Sequence, residues 1–305
     1  MIIDGKKIAD KILGELKNKV AKIEKPPYLA AVLVGPVRNN PPLGPSGRAS
    51  AGVISNGAEN DAESRKFLEL KKKAAESIGL ECRIYEFPEK ISNRELRKRL
   101  NQIVKATTCG GMIIELPLPT HLNTQAILNV VPEEKDPDVL SQKAQGAFWA
   151  GRSKVLPPSV EAVKIILEEY KIEPKGKVAA VFGYGLLVGR PVSHWLASQG
   201  ATTIVINEFT EDPTELSEKA DIIVSGVGKP GLIKSEMVKE GAIVIDFGYT
   251  TEAQNITGKT EKKITGDINF EEVNKKASLT TPVPGGTGPI VVAAVLKNFV
   301  ELINK

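Results

Sequence analysis

The chain has 305 residues, 41% of them hydrophobic and 26% charged, which is ordinary for a globular protein and long enough for two domains with separate cores. Its net charge of +4 is spread along the sequence: the clusters at 71–73 and 97–99 lie in helical patterns with acids nearby, read as solvated helix faces, and give no reason to expect a nucleic-acid partner. Two cysteines, Cys82 and Cys109, are too few for a disulfide framework or metal site, two histidines leave little for histidine chemistry, and without a leader or an apolar run of about 18 residues the chain is expected in the cytosol, off the membrane.

Residues 1–3 read as a short strand, followed by an amphipathic helix apolar at Ile8, Ile12, Leu13, Leu16 and Val20. The run YLAAVLV at 28–34 is a buried strand. Residues 36–58, full of Pro, Gly, Ser and Asn without a period, read as an inserted mobile loop, with a lid over a ligand as the sharper alternative. A helix over 63–78 is closed by Gly79, and strand 80–87, helix 92–105, strand 110–116 and helix 124–130 follow. This alternation over roughly the first 140 residues implies a parallel sheet covered by helices, the α/β class.

In the second half, a helix over 159–170 leads to KVAAVFGYGLLVGRPVSHWLASQG at 177–200. Residues 178–182 are a short apolar run, Gly183, Gly185 and Gly189 punctuate a turn, and 191–198 restore helical spacing through Val192, Trp195 and Leu196. Such a strand, turn and helix aim backbone N–H groups and the positive end of a helix at one point, which suits a dinucleotide pyrophosphate. The pattern G-x-G-x-x-x-G is one residue longer than the standard fingerprint, and a plain glycine turn between a strand and its helix looks the same. A second strand at 204–206 ends in Asn207 and Glu208, near where a ribose-binding acid is expected. His194, on the helix after the turn, reads as structural. Strands at 222–224 and 242–247 follow, and a last helix over 290–303 comes after TPVPGGTGP. In that loop prolines stiffen the backbone while glycines let it pass close to a ligand or cofactor ring; a domain-crossing hinge is the other reading.

Taken together, Leu116-Pro117-Leu118-Pro119, Lys135-Asp136-x-Asp138, Val188-Gly189-x-Pro191, Gly228-Lys229-Pro230, Gly266-Asp267 and Thr281-Pro282-Val283-Pro284-Gly285-Gly286-x-Gly288-Pro289 resemble, in order and spacing, the bifunctional methylenetetrahydrofolate dehydrogenase/methenyltetrahydrofolate cyclohydrolases of one-carbon metabolism. The resemblance covers the chain apart from 36–58. It implies an N-terminal α/β catalytic domain with a parallel-type sheet (1–145, joined by the returning helix 288–305) and a C-terminal Rossmann-like dinucleotide-binding domain (146–287), with folate in the cleft between them. It further implies a homodimer, NADP or NAD as cofactor, a tetrahydrofolate derivative as substrate, and no metal. In such enzymes a hydride passes from the methylene carbon of 5,10-methylenetetrahydrofolate to a nicotinamide, and water then opens the methenyl cation to 10-formyltetrahydrofolate.

Carried over residue by residue, the resemblance makes Lys71 the family's helix lysine; by itself Lys71 reads as one of three surface lysines. The tyrosine position four residues earlier is Phe67, which keeps a ring for stacking and loses the hydroxyl. A glutamine expected before Leu116 and Pro117 is Glu115, and a carboxylate there favours the lysine ammonium, weakening it as a base. Glu115 either takes the proton itself or forms a cleft salt bridge, so dehydrogenase activity is expected with weakened or altered hydrolysis. Asp138 aligns with the acid that binds the pterin's amino and ring N–H groups, although the following glycine-aromatic pair reads Val139-Leu140. Pro284, Gly285 and Gly286 join Phe67, Leu116 and Pro117 as expected substrate contacts. Gly183, Tyr184, Gly185, Val188, Gly189, Tyr249 and Thr287 are the expected cofactor contacts. Glu208 and Phe209 stand where NADP-using members carry a serine-arginine pair; a glutamate repels a 2′-phosphate and accepts from a ribose 2′-OH, so charge favours NAD while family habit favours NADP. The alternatives are a catalytically degenerate folate- or nucleotide-binding paralogue, and another two-domain dehydrogenase acting on a small acid.

Overall fold

The computed structural model describes residues 1–35, 58–256 and 259–304, so the expected insertion lies outside the described residues apart from Ala58. The chain forms two compact units, Ile12–Leu156 with Val295–Lys305, and Met1–Lys11 with Pro157–Ala294. The division falls within the first helix, α1 (Gly5–Val20), and within the last. No helix among the described residues is long and apolar enough to cross a membrane.

In the first of these units, β1 (Tyr28–Gly35) is buried along its whole length and is the middle strand of a three-stranded parallel sheet. That position explains its unbroken apolar sequence, since a strand covered on both faces shows no alternation. After α2 (Ala58–Ser77) comes β2 (Cys82–Pro88), and after α3 (Asn93–Val104) comes β3 (Cys109–Ile114); both strands flank β1. Ser92 starts α3 by accepting a hydrogen bond from Glu95 N at 3.2 Å, and Leu96, Leu100 and Val104 form its buried stripe. The core joins Leu16 and Val20 of α1, Leu29, Ala31 and Leu33 of β1, and Leu68 and Ala75 of α2 to Phe299 and Val300 near the C-terminus. Two short helices, α4 (Thr124–Leu128) and α5 (Gln142–Trp149), complete the unit. Helix α5 was not legible in the sequence, being barely two turns long with little amphipathic contrast.

The other unit holds α6 (Pro158–Glu169), β4 (Val178–Phe182), α7 (Gly189–Ser198), β5 (Thr202–Ile206), α8 (Pro213–Ser217), β6 (Ile222–Ser225) and β7 (Ile243–Asp246). An antiparallel hairpin, β8 (Thr250–Ile256) with β9 (Lys259–Thr265), then α9 (Phe270–Lys276), β10 (Leu279–Thr280) and α10 (Thr287–Ile303) follow. The five-stranded sheet runs β10-β7-β6-β4-β5, all parallel. Chain order reverses at β4, which has β5 on one side and β6 on the other, and a parallel sheet opens a ligand crevice beyond the carboxyl end of such a strand. The expected strand at 1–3 is a single parallel bridge from Ile2 to Thr280, because β10 offers only two residues to pair with. The last helix starts at Thr287, three residues before its expected start.

Candidate functional site

Helix α2 carries Phe67 and Lys71 one turn apart, and Lys71 is only 9% exposed. The phase of the helix accounts for this: Leu68 and Ala75, three before and four after, are core residues, so Lys71 lies on the inward stripe. Its Nζ donates to Glu115 Oε2 at 2.8 Å. Glu115 stands one residue past β3, where its N–H donates to Val32 O at 2.9 Å and extends the ladder with β1. The carboxylate is thereby fixed at the carboxyl end of the sheet. Burial on its own would lower the Lys71 pKa; the charges of Glu115 and Asp138 outweigh it and leave the pKa above the ordinary lysine value.

Asp138 sits in the loop between α4 and α5, and no hydrogen bond engages its carboxylate among the described residues. Burial, with the Asp136 and Glu115 charges added and Lys71 opposing, pushes its pKa up to about 7. The loop itself is tightly built. Asp136 Oδ2 accepts from Leu140 N at 3.0 Å and Ser141 N at 2.8 Å, and Asn298 Nδ2 donates to Pro137 O at 2.8 Å and Leu156 O at 2.7 Å. Val139 is forced to φ +55°, a left-handed conformation costly for a β-branched residue. This is the position at which the resemblance led one to expect glycine, and Val139 occupies it with strain. Leu116 and Pro117 follow Glu115 directly, half-buried and exposed respectively.

In the other unit, the turn from Gly183 to Gly189 leaves the carboxyl end of β4 and enters α7. Gly183 has φ +88°, and a Cβ on Gly189 would lie 2.1 Å from Gly183 O, so the turn closes this tightly only with glycine at both ends. Nothing lies within 4 Å of a Cβ built on Gly185. The N–H groups of Gly185, Leu186, Leu187 and Val188 meet no acceptor among the described residues. A narrow glycine cradle with free N–H donors fits a pyrophosphate. Ser159 Oγ donates to Leu187 O at 2.5 Å, and Arg190 Nε donates to Tyr184 O at 3.0 Å, with the guanidinium 5.3 Å from the exposed Tyr184 ring.

Beyond β5, Asn207 Oδ1 accepts from Phe209 N at 2.9 Å and Thr210 Oγ1 accepts from Asn207 N at 2.9 Å. This local turn presents Glu208 and Phe209 to solvent, Phe209 at 84% exposure. Tyr249 is half-buried, and Thr287 Oγ1 donates to Asp246 O at 2.7 Å. Pro284 and Gly285 are exposed and Gly286 is buried. Gly5 N donates to Gly285 O at 3.1 Å, and a Cβ on Gly5 would lie 1.7 Å from Gly286 O, so the N-terminal segment packs against this loop only through a glycine. The structure thus groups Phe67, Lys71, Glu115, Leu116, Pro117 and Asp138 in one unit and the remaining expected contacts in the other. Among the described residues no group of three or more potential ligands could hold a metal. The supporting roles of Asp136, Asn298 and Gly5 were beyond sequence reading, because each acts on a backbone group brought near by the fold.

Family models match both parts of the chain. Residues 157–305 match the NAD(P)-binding domain, and 50–138 the catalytic domain, of tetrahydrofolate dehydrogenase/cyclohydrolase. A bifunctional protein FolD from a Nitratiruptor strain is 36% identical, the match covering 98% of this chain and 96% of that protein. Among solved structures, the bifunctional FolD dehydrogenase/cyclohydrolase of Campylobacter jejuni is 31% identical with a TM-score of 0.84 over 99% of this chain and 98% of that one. The Trypanosoma brucei FolD, complexed with NADP and an inhibitor, is 30% identical with a TM-score of 0.86, covering 99% and 96%.

Proposed function

The chain belongs to the tetrahydrofolate dehydrogenase/cyclohydrolase family, and from that premise we propose that it oxidises 5,10-methylenetetrahydrofolate to the methenyl form with Lys71, Glu115 and Asp138 as its folate-side groups. The observation that carries the assignment of roles is the buried Lys71–Glu115 pair at 2.8 Å, with Asp138 in its field, inside the segment that matches the catalytic-domain model. When bound, a nicotinamide dinucleotide supplies the hydride acceptor. The chain's own task in that step is orientation. Phe67 offers a ring face, and Asp138, ionised, offers two acceptor oxygens to an amidine-like pterin edge. Lys71, held as the ammonium by Glu115, places a positive charge near the folate and is a poor proton acceptor.

Hydrolysis of the methenyl cation requires a group that takes a proton from water, and the pairing of Lys71 leaves hydrolysis the weaker of the two activities. On the cofactor side, the exposed Glu208 repels a 2′-phosphate and accepts from a 2′-OH, which supports NAD over NADP. A homodimer in the cytosol belongs to the same proposal by family resemblance. The test mixes purified protein with 5,10-methylenetetrahydrofolate and each dinucleotide and follows the reduced-nicotinamide and methenyl absorbances. Both should grow, with the lower KM for NAD; tight folate binding without turnover would replace this reading with that of a binding protein.

A further inference from the structure

Asp246 closes β7 and Asp267 precedes α9, and they are 1% and 0% exposed. Buried carboxylates persist only where donors satisfy them. Asp267 Oδ2 accepts from Ser225 Oγ at 2.7 Å and from Val227 N at 2.8 Å, and its Oδ1 accepts from Lys229 N at 2.8 Å. Asp246 Oδ1 accepts from Gly248 N at 2.7 Å and its Oδ2 from Ile268 N at 3.1 Å. The two side chains interlock. A Cβ on Gly248 would lie 2.3 Å from Asp267 Oδ1, and one on Gly266 would lie 2.1 Å from Asp246 Oδ2, so each acid fills the space that a glycine beside the other leaves open.

What Asp267 holds lies directly against the glycine turn. The segment 225–229 leaves the carboxyl end of β6, next to β4. A Cβ on Gly226 would lie 2.7 Å from Val188 Cβ, and the Val227 side chain comes within 3.2 Å of a Cβ built on Gly183. Asp267 therefore fixes the backbone on which both ends of the turn rest, and Asp246 fixes Gly248, the neighbour of Tyr249.

We propose that Asp246 and Asp267 are an interlocked pair of positioning residues, Asp267 holding the 225–229 segment that forms the floor of the dinucleotide turn and Asp246 closing the space around Asp267 through Gly248 and Gly266, so that together they set dinucleotide affinity without touching the dinucleotide. The inference rests on the reading of the 183–189 turn as a dinucleotide site. Three substitutions test it on the full chain: Ser225→Ala, which removes one donor and leaves no unpaired buried charge, Asp267→Asn and Asp246→Asn. Direct titration with NAD and with NADP gives Kd, and steady-state kinetics separates KM from kcat. Ser225→Ala should raise the dinucleotide Kd and KM about threefold, and Asp267→Asn and Asp246→Asn about tenfold, with folate KM and saturated kcat unchanged within about twofold. If the aspartate variants do not fold, Ser225→Ala decides. A Ser225→Ala protein that melts like the parent and binds dinucleotide equally tightly overturns the inference, as does an equal rise of both KM values. A parent protein that binds neither dinucleotide overturns the proposed function as well.

Discussion

Lys71 shows how much one neighbour decides. With a neutral partner a buried lysine loses charge readily, whereas the Glu115 carboxylate at 2.8 Å holds the proton on it. Glu115→Gln should therefore lower the Lys71 pKa and raise the rate of methenyltetrahydrofolate hydrolysis by about tenfold, measured as loss of methenyl absorbance across a pH series; hydrolysis no faster than in the parent would refute the role given to Glu115. At the other unit, Glu208→Ser should shift the ratio of kcat/KM for NAD over NADP toward NADP by about tenfold. Lys71 was partly legible in the sequence. Its place in a run of three lysines suggested a surface and the family resemblance alone singled it out; the packing of Leu68 and Ala75 into the core is what puts it on the buried stripe.

The loop and the turn that carry the expected contacts depend on backbone geometry set by neighbours. Asn298 on α10 reaches Pro137 O and Leu156 O across 161 and 142 residues of sequence. Asn298→Ala leaves two carbonyls without donors, a loss of roughly 1–3 kcal/mol, and should raise folate KM while dinucleotide KM stays put. Gly189→Ala drives a Cβ to 2.1 Å from Gly183 O, so the turn must open; dinucleotide titration should show binding weakened by at least about tenfold. Elements with long periodic or unbroken apolar runs were visible in the sequence, β1, α3 and β4 within a residue and α1 with its end set three residues too late. The short helices α5, α8 and α9 and the β8–β9 hairpin were not, because a few residues give neither period nor contrast enough to separate helix from loop.

Stability across pH is a property of the whole molecule, and buried acids set its direction. Asp138 and Asp246 are each pushed up to about 7, chiefly by burial, from an unfolded value near 3.8. Between those limits the folded state binds more protons than the unfolded one, so their contribution is fully present at low pH and is lost as pH rises through 7. His194, lowered by burial, opposes this below its ordinary range, so the comparison is made between variants. Asp138→Asn, which removes a half-buried charge that accepts no hydrogen bond among the described residues, should melt higher than the parent at pH 8 and lose that advantage progressively as pH falls from 7 toward 4, while its folate KM rises; an identical pH profile in the two proteins would exclude a destabilising charge at Asp138. The α/β class, the glycine turn after a buried strand and the family could be read from the residues alone, since these rest on local patterns and on motif order. The burial of Lys71, the left-handed conformation of Val139, and the bracing hydrogen bonds and close contacts of Asp246, Asp267, Asn298 and Gly5 emerge only from the folded chain. Those roles arise from contacts between residues far apart in the chain, which close packing and the need to satisfy buried polar groups bring together and which no local pattern records.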